Sequence, residues 1–196
     1  RRRVGQPREG VRAGRAVSSV AEVVGRTLAD LGVAHVYGVV GSGNFAVTNA
    51  LREAGVGFTA ARHEGGAATM ADAHARTSGA VTALSVHQGC GLTNAMTGLA
   101  EAAKSRTPLL VLAAEPAGAA VRSNFRVDQD ALARAVGAVP ERVHSAASAV
   151  ADTVRAFRTA CQQRHTVVLN LPLDVQAQPC PGAAPIGTIE PWGPAR

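Results

Sequence analysis

Short β-rich runs that stop at glycine, each followed by a helical stretch, recur along most of this chain, and this alternation constrains the fold more than any other feature. Val36-Tyr37-Gly38-Val39-Val40 ends in Gly41-Ser42-Gly43 and precedes a helix predicted over Phe45–Glu53 and stopped at Gly55. Phe58–Ala61 precedes an alanine-rich helix from Glu64 to Thr77, stopped at Gly79. Val81–Val86 ends in Gly89-Cys90-Gly91 and leads into a helix to Lys104. Pro108 opens the strand Leu109–Leu112, a looser stretch spans Glu115–Asp128, and helices follow near Asp130–Val136 and Ser148–Arg164. Thr166–Asn170 closes the series as a last strand. Upstream, Ser19-Val20-Ala21-Glu22 is a capping-box pattern that opens a helix to Leu31, stopped at Gly32. Parallel strands need crossover connections, which are right-handed and lay helices on both faces of the sheet. The expected class is α/β, a doubly wound, mainly parallel sheet.

The alternation occupies residues 17–175 of a chain of 196, which is enough to bury a core without disulfides or metals. Residues 1–16 read as a flexible basic arm: six arginines and one acid there carry +5 of the net charge of +6, so the body is near neutral. Residues 176–196 hold five prolines and three glycines without periodicity and read as a tail. Aromatic residues are 3%, too few for a base-stacking surface, and no basic stripe continues into the body, so no nucleic-acid partner is expected. No apolar run approaches the ~18–20 residues of a membrane span, so no membrane partner is expected either. Three cysteines, Cys90, Cys161 and Cys180, lack metal-ligand spacing and fit a reducing compartment, giving a cytoplasmic expectation.

Ligands of doubly wound sheets sit outside the carboxyl ends of the strands, where Gly41-Ser42-Gly43, Arg62-His63-Glu64 and His87-Gln88-Gly89 are expected to meet. A glycine loop that opens a helix exposes backbone N–H groups to a ligand, or is simply a tight turn. Gly41-Ser42-Gly43-Asn44-Phe45-Ala46 matches the G-x-G-x-x-A dinucleotide fingerprint, and Glu64 lies about 20 residues on. Yet Glu64 heads a helix instead of ending the second strand.

The stretch Arg62-His63-Glu64…Met70-Ala71-Asp72-Ala73-His74-Ala75-Arg76…Gly79 resembles the R-H-E…M-A-D-G-Y-A-R…G signature of the thiamine diphosphate enzymes, in their pyrimidine-binding domain. Gly32–Gly38 resembles that domain's G-V-x-x-V-F-G segment, Gly89–Leu99 its G-P-G-x-T-N-A-x-T-G-L segment, and Ser105–Leu109 its D-S-x-P-V strand entry. The order is that of the family across Val17–Val175. Departures are Val40 where many relatives have Pro, Cys90 for the middle Pro of G-P-G, and His74 for Tyr.

The resemblance implies that Glu64 hydrogen-bonds N1′ of the cofactor's aminopyrimidine and shares a proton with it. It places Gly41, Ser42, Gly89 and Asn94 beside the cofactor. His87 stands where benzoylformate decarboxylase ends the corresponding strand in His, and Ser42 matches a Ser of its N-P-G-S-N loop with one residue of slack. The two are implied at the substrate with Gln88. Arg126, where acetolactate synthases carry Gln, is implied as a carboxylate partner or a surface residue. Without the family, a His at a strand end is an ordinary structural residue.

The family's second domain, with G-D-G followed by N-N, holds the diphosphate and Mg2+, and no Gly-Asp-Gly occurs here. The expectation is the pyrimidine-binding subunit of a split thiamine diphosphate enzyme. It would decarboxylate a 2-oxo acid, with or without ligation of the product to a second carbonyl. Its partner is a separate diphosphate-binding subunit, with self-association to a heterotetramer. Other readings are a fragment of a full-length relative, a non-catalytic or regulatory pyrimidine-domain homologue, and a nicotinamide-dinucleotide domain.

Overall fold

The apolar runs of the sequence become the strands of one sheet. The structure is a computed structural model that describes residues 18–181 and 186–190; the basic arm lies outside the described residues. In chain order the elements are β1 (Ser18–Ser19), α1 (Val20–Leu31), β2 (His35–Gly38), α2 (Phe45–Glu53), β3 (Gly57–Ala60), α3 (Glu64–Ser78) and β4 (Thr82–Val86). They continue with α4 (Cys90–Lys104), β5 (Leu109–Glu115), α5 (Gln129–Ala135), β6 (Val139–Arg142), α6 (Ala149–Gln163), β7 (Thr166–Pro172), α7 (Leu173–Gln176) and β8 (Pro179–Cys180). Six strands form a parallel sheet in the order β3-β2-β4-β5-β7-β6. The chain moves outward from β2 to β3 and then back across it to β4, so the connections diverge between β2 and β4.

Side chains alternate across the central strands and so feed two cores. Leu110, Leu112, Val167, Leu169 and Leu171 join α1, α2 and α6 through Val24, Leu28, Leu51 and Phe157. Leu109, Val111, Ala113 and Val168 join α3, α4 and α5 through Ala68, Leu92, Leu99 and Ala133. Burial of each large aliphatic side chain contributes ~1.5–3 kcal/mol. The second core is lined by small residues, and α3 approaches α4 so closely that a Cβ at Gly98 would lie 2.6 Å from that of Ala68. The alanine face of α3 is therefore used inside the chain.

The helix starts follow the sequence reading. Ser19 caps α1 in a capping box with Glu22, and Gly32 ends the helix in the left-handed conformation. Two features differ from it. β6 was not read from the sequence at all: Val139-Pro140-Glu141-Arg142, with a proline and two charges, is an edge strand paired only with β7, where a missing N–H is tolerated. The tail expected from residue 176 does not begin there. Gln176 is buried, β8 pairs with β1, and the Ile189 N–H donates to the Leu31 carbonyl. Apolar Val175, Cys180 and Ile189 tie this end of the chain to the core of α1 and α6, which composition alone hides.

Candidate functional site

The loops after β2 and β4 and the start of α3, which follows β3, lie at the carboxyl ends of the strands, beside the point where the connections diverge. His63 sits in extended backbone as the N-cap of α3, its Nδ1 accepting the Gly65 N–H at 3.0 Å. That places Glu64 in the first turn of a 15-residue helix. Its side chain is folded in, leaving the residue 9% exposed. Oε2 accepts from Asn94 Nδ2 at 3.0 Å, and Oε1 has no hydrogen-bond partner among the described residues. A carboxyl with one oxygen held by a neighbour keeps the other open to share a proton with a nitrogen base.

His87 follows β4 and is packed on several sides. A Cβ at Gly41 would stand 3.1 Å from the imidazole, and one at Gly43 would stand 3.0 Å from Nδ1 and 2.9 Å from the Ala114 Cβ. The Phe125 ring meets it edge-on at 5.1 Å. The Gly43 N–H donates to His87 Nδ1 at 3.3 Å. The glycine loop is thus a seat for an imidazole. Ser42 is exposed at the tip of this loop. Asn44, 1% exposed, fixes the loop by accepting from the Gly41 N–H at 2.9 Å and donating to the Val39 carbonyl and Ser85 Oγ.

Gly91 joins the two halves: a Cβ there would lie 3.2 Å from that of His87 and 3.5 Å from Glu64 Oε1. Gln88 is buried, and its Oε1 has no partner among the described residues. Gly89 adopts φ 60°, ψ −97°, and a Cβ there would meet the Phe125 carbonyl oxygen at 2.2 Å, so only glycine fits. Cys90, exposed in the first turn of α4, is a free thiol; Cys161 and Cys180 are buried, and burial, with Glu190 nearby, pushes the Cys161 thiol up. Arg126 is placed differently from its sequence neighbours. Its guanidinium donates to the carbonyls of Ala117, Gly118 and Ala120, its own loop. The residue of that segment that touches His87 is Phe125.

Sequence reasoning missed the supports. The Gly89 N–H donates to Gln129 Oε1, Gln129 Nε2 to Asn170 Oδ1, and Asn170 Nδ2 to Asp130 Oδ1. Arg142 then pairs with Asp130 and Glu115. The legible signal was Asn170, an amide ending an otherwise apolar strand. Gln176, also missed, donates to the Gly43 carbonyl at 3.1 Å. The Asp and Arg of the M-A-D…R signature are structural: buried Asp72 accepts from Thr107 Oγ1 at 2.6 Å and pairs with Arg76, which also reaches Glu101. They tie α3 to α4 and to the entry of β5.

The buried carboxyl, the glycine-lined gap and the parallel sheet that positions them belong together in one class of protein. A profile of the thiamine pyrophosphate enzyme N-terminal TPP binding domain matches residues 18–135, and the chain belongs to that family. It is 41% identical over 100 residues to the acetolactate synthase isozyme 3 large subunit of Escherichia coli, covering 50% of this chain and 17% of that protein. It is 30% identical over 180 residues to a probable 2-ketoarginine decarboxylase of Pseudomonas aeruginosa, covering 89% of this chain and 31% of that one. A 42.6 kDa protein of Pseudomonas amyloderamosa is 32% identical over 175 residues, covering 85% of this chain and 44% of that one. The chain therefore spans less than half the length of these relatives.

Proposed function

We propose that this chain is the aminopyrimidine-binding half of a thiamine diphosphate enzyme that decarboxylates a 2-oxo acid, with or without ligation of the product to a second carbonyl. The observation that carries the reading is Glu64, buried, with Oε2 held by Asn94 and Oε1 free. When bound, thiamine diphosphate would supply the electron sink that takes the electron pair left behind as the carboxylate beside a carbonyl departs as carbon dioxide. Glu64 accepts or shares a proton at N1′, and Asn94 keeps its carboxyl from turning away. Gly41 and Gly89 let backbone approach the cofactor closely. His87 and Ser42 face the substrate, with Gln88 offering an acceptor. A substrate role for Arg126 requires its guanidinium to leave three carbonyls that it holds; the arginine serves the loop instead.

The diphosphate and Mg2+ are held by a second half carrying G-D-G and N-N, on a separate chain or on the remainder of a longer one. Among the described residues no cluster of three His, Cys, Asp or Glu side chains could hold a metal ion. Self-association, giving a heterotetramer with that partner, uses the outer face of α3 and α4. Met70 is exposed there, and a groove of about 760 Å³ is lined by Gly65, Thr69, Thr97, Glu101 and Lys104. No helix among the described residues is long and apolar enough to cross a membrane, and a cytoplasmic site of action is part of the proposal.

The test is reconstitution. This chain with thiamine diphosphate and Mg2+ alone binds the cofactor weakly and turns over no 2-oxo acid. Adding the diphosphate-binding half gives turnover. Robust decarboxylation by this chain alone overturns the two-half reading. Assembly with that half, but without cofactor binding or turnover, leaves the non-catalytic homologue.

A further inference from the structure

We propose that Gln176 is a positioning residue for His87, acting through the backbone on the two sides of Gly43, and that this relay holds the neutral imidazole with its proton on Nε2. The inference rests on the reading above, in which His87 faces the substrate.

Gln176 ends α7 and is 6% exposed. Its Nε2 donates to the Leu171 carbonyl at 2.7 Å and to the Gly43 carbonyl at 3.1 Å, so both amide hydrogens are used. Leu171 is part of β7, deep in the sheet; Gly43 is in the loop after β2. One buried side chain thus fixes that loop to the sheet from the far end of the chain. On the other side of residue 43, its N–H donates to His87 Nδ1. A backbone amide only donates. Nδ1 must therefore present a lone pair, and the proton of the neutral ring lies on Nε2. Nε2 takes no partner among the described residues, so Nε2–H is the ring's free donor.

The ring has little room to escape this arrangement. Gly41 and Gly43 stand too close for a side chain, and Phe125 closes another side. The elements packed against it bring few charges. α3 brings Glu64, across Gly91; the segment before α5 brings Arg126, spent on three carbonyls; α4 brings Cys90; the glycine loop brings none. Protonating His87 sets N–H against N–H at Gly43 and breaks the bond. The neutral ring consequently meets a substrate carbonyl or carboxylate oxygen as a hydrogen-bond donor at Nε2. Sequence reasoning placed Gln176 outside the domain, and the family profile ends at residue 135, so neither pointed to it.

The experiment is imidazole nitrogen NMR on the full 15N-labelled chain across the His87 titration, with His87→Asn to assign the ring. The expected spectrum has a protonated Nε2 and an unprotonated Nδ1 in the neutral form, with the Gly43 amide resonance moving in step as the ring is protonated. Gln176→Leu, similar in size without donors, loses the single-tautomer signature and uncouples the Gly43 amide from the ring. A neutral wild-type ring protonated on Nδ1 overturns the proposal and needs no variant to fold. A folded Gln176→Leu chain with the tautomer and the coupled Gly43 shift intact also overturns it. Whether His87 matters to turnover is decided separately, by His87→Ala in the assembled enzyme.

Discussion

Replacing His87 by Ala removes a donor without disturbing Glu64, whose carboxyl is held from α4 by Asn94. Acid–base and donor contributions of this kind are worth ~10²–10⁴-fold. His87→Ala in the assembled enzyme is expected to lower kcat within that range and to leave cofactor binding intact; full turnover would make His87 a structural histidine. Gly89→Ala is expected to act on folding. The left-handed φ and the 2.2 Å approach to the Phe125 carbonyl oxygen leave no space for a methyl group, so urea unfolding should show a loss of ~2 kcal/mol or more. Asp152 tests the electrostatics. Burial pushes its carboxyl up, but bonds from the His144 amide and imidazole, Arg155 and Ser148 overcome that and hold it at about 2. A carboxyl held below its ordinary 3.8 contributes stability that is complete above about pH 4 and is lost as pH falls toward 2. Asp152→Asn is expected to be less stable than wild type by ~2 kcal/mol at neutral pH and to match it near pH 2. A constant difference across that window would contradict the assignment. At this scale the positions of Glu64 and His87 at the carboxyl end of the sheet, on either side of Gly91, were legible, and the roles proposed for them came from the family resemblance. Gln129 and Gln176 were not legible, because their roles depend on partners 40 and 133 residues away.

Elements carry the family signature in a way that separates scaffold from chemistry. Asp72 and Arg76 of α3 bind Thr107 and Glu101, so the most recognisable part of the motif is a brace. Asp72→Ala leaves a buried threonine hydroxyl without its partner and is expected to cost ~1–3 kcal/mol in thermal or urea unfolding. An unchanged midpoint would contradict the reading of Asp72 as a brace. The strands of the sheet interior were read correctly, since Leu109–Leu112 and Thr166–Asn170 are apolar on both faces and lie in both cores. β6 was not, because an edge strand needs only one partner and tolerates Pro140 and two charges. The end of the domain was also misjudged: proline content suggested a tail where Cys180 and Ile189 pack on the core.

For the whole molecule, the proposed reading makes this chain one side of a cofactor site: a carboxyl at Glu64, an imidazole at His87, and Gly91 between them. The sheet and its loops bring these together without help from another chain. On the reading proposed above, the diphosphate side comes from a second half, and assembly with it is a condition of activity. The central claim is that Glu64 sets the cofactor to work by handling a proton at N1′. The measurement that reaches it most directly is hydrogen–deuterium exchange at C2 of thiamine diphosphate, followed by NMR in the assembly of this chain with its diphosphate-binding half, for wild type and Glu64→Gln. An amide cannot take up or release that proton, so exchange in Glu64→Gln should slow by ~10²-fold or more while cofactor remains bound. Exchange at the wild-type rate would contradict the assignment of Glu64.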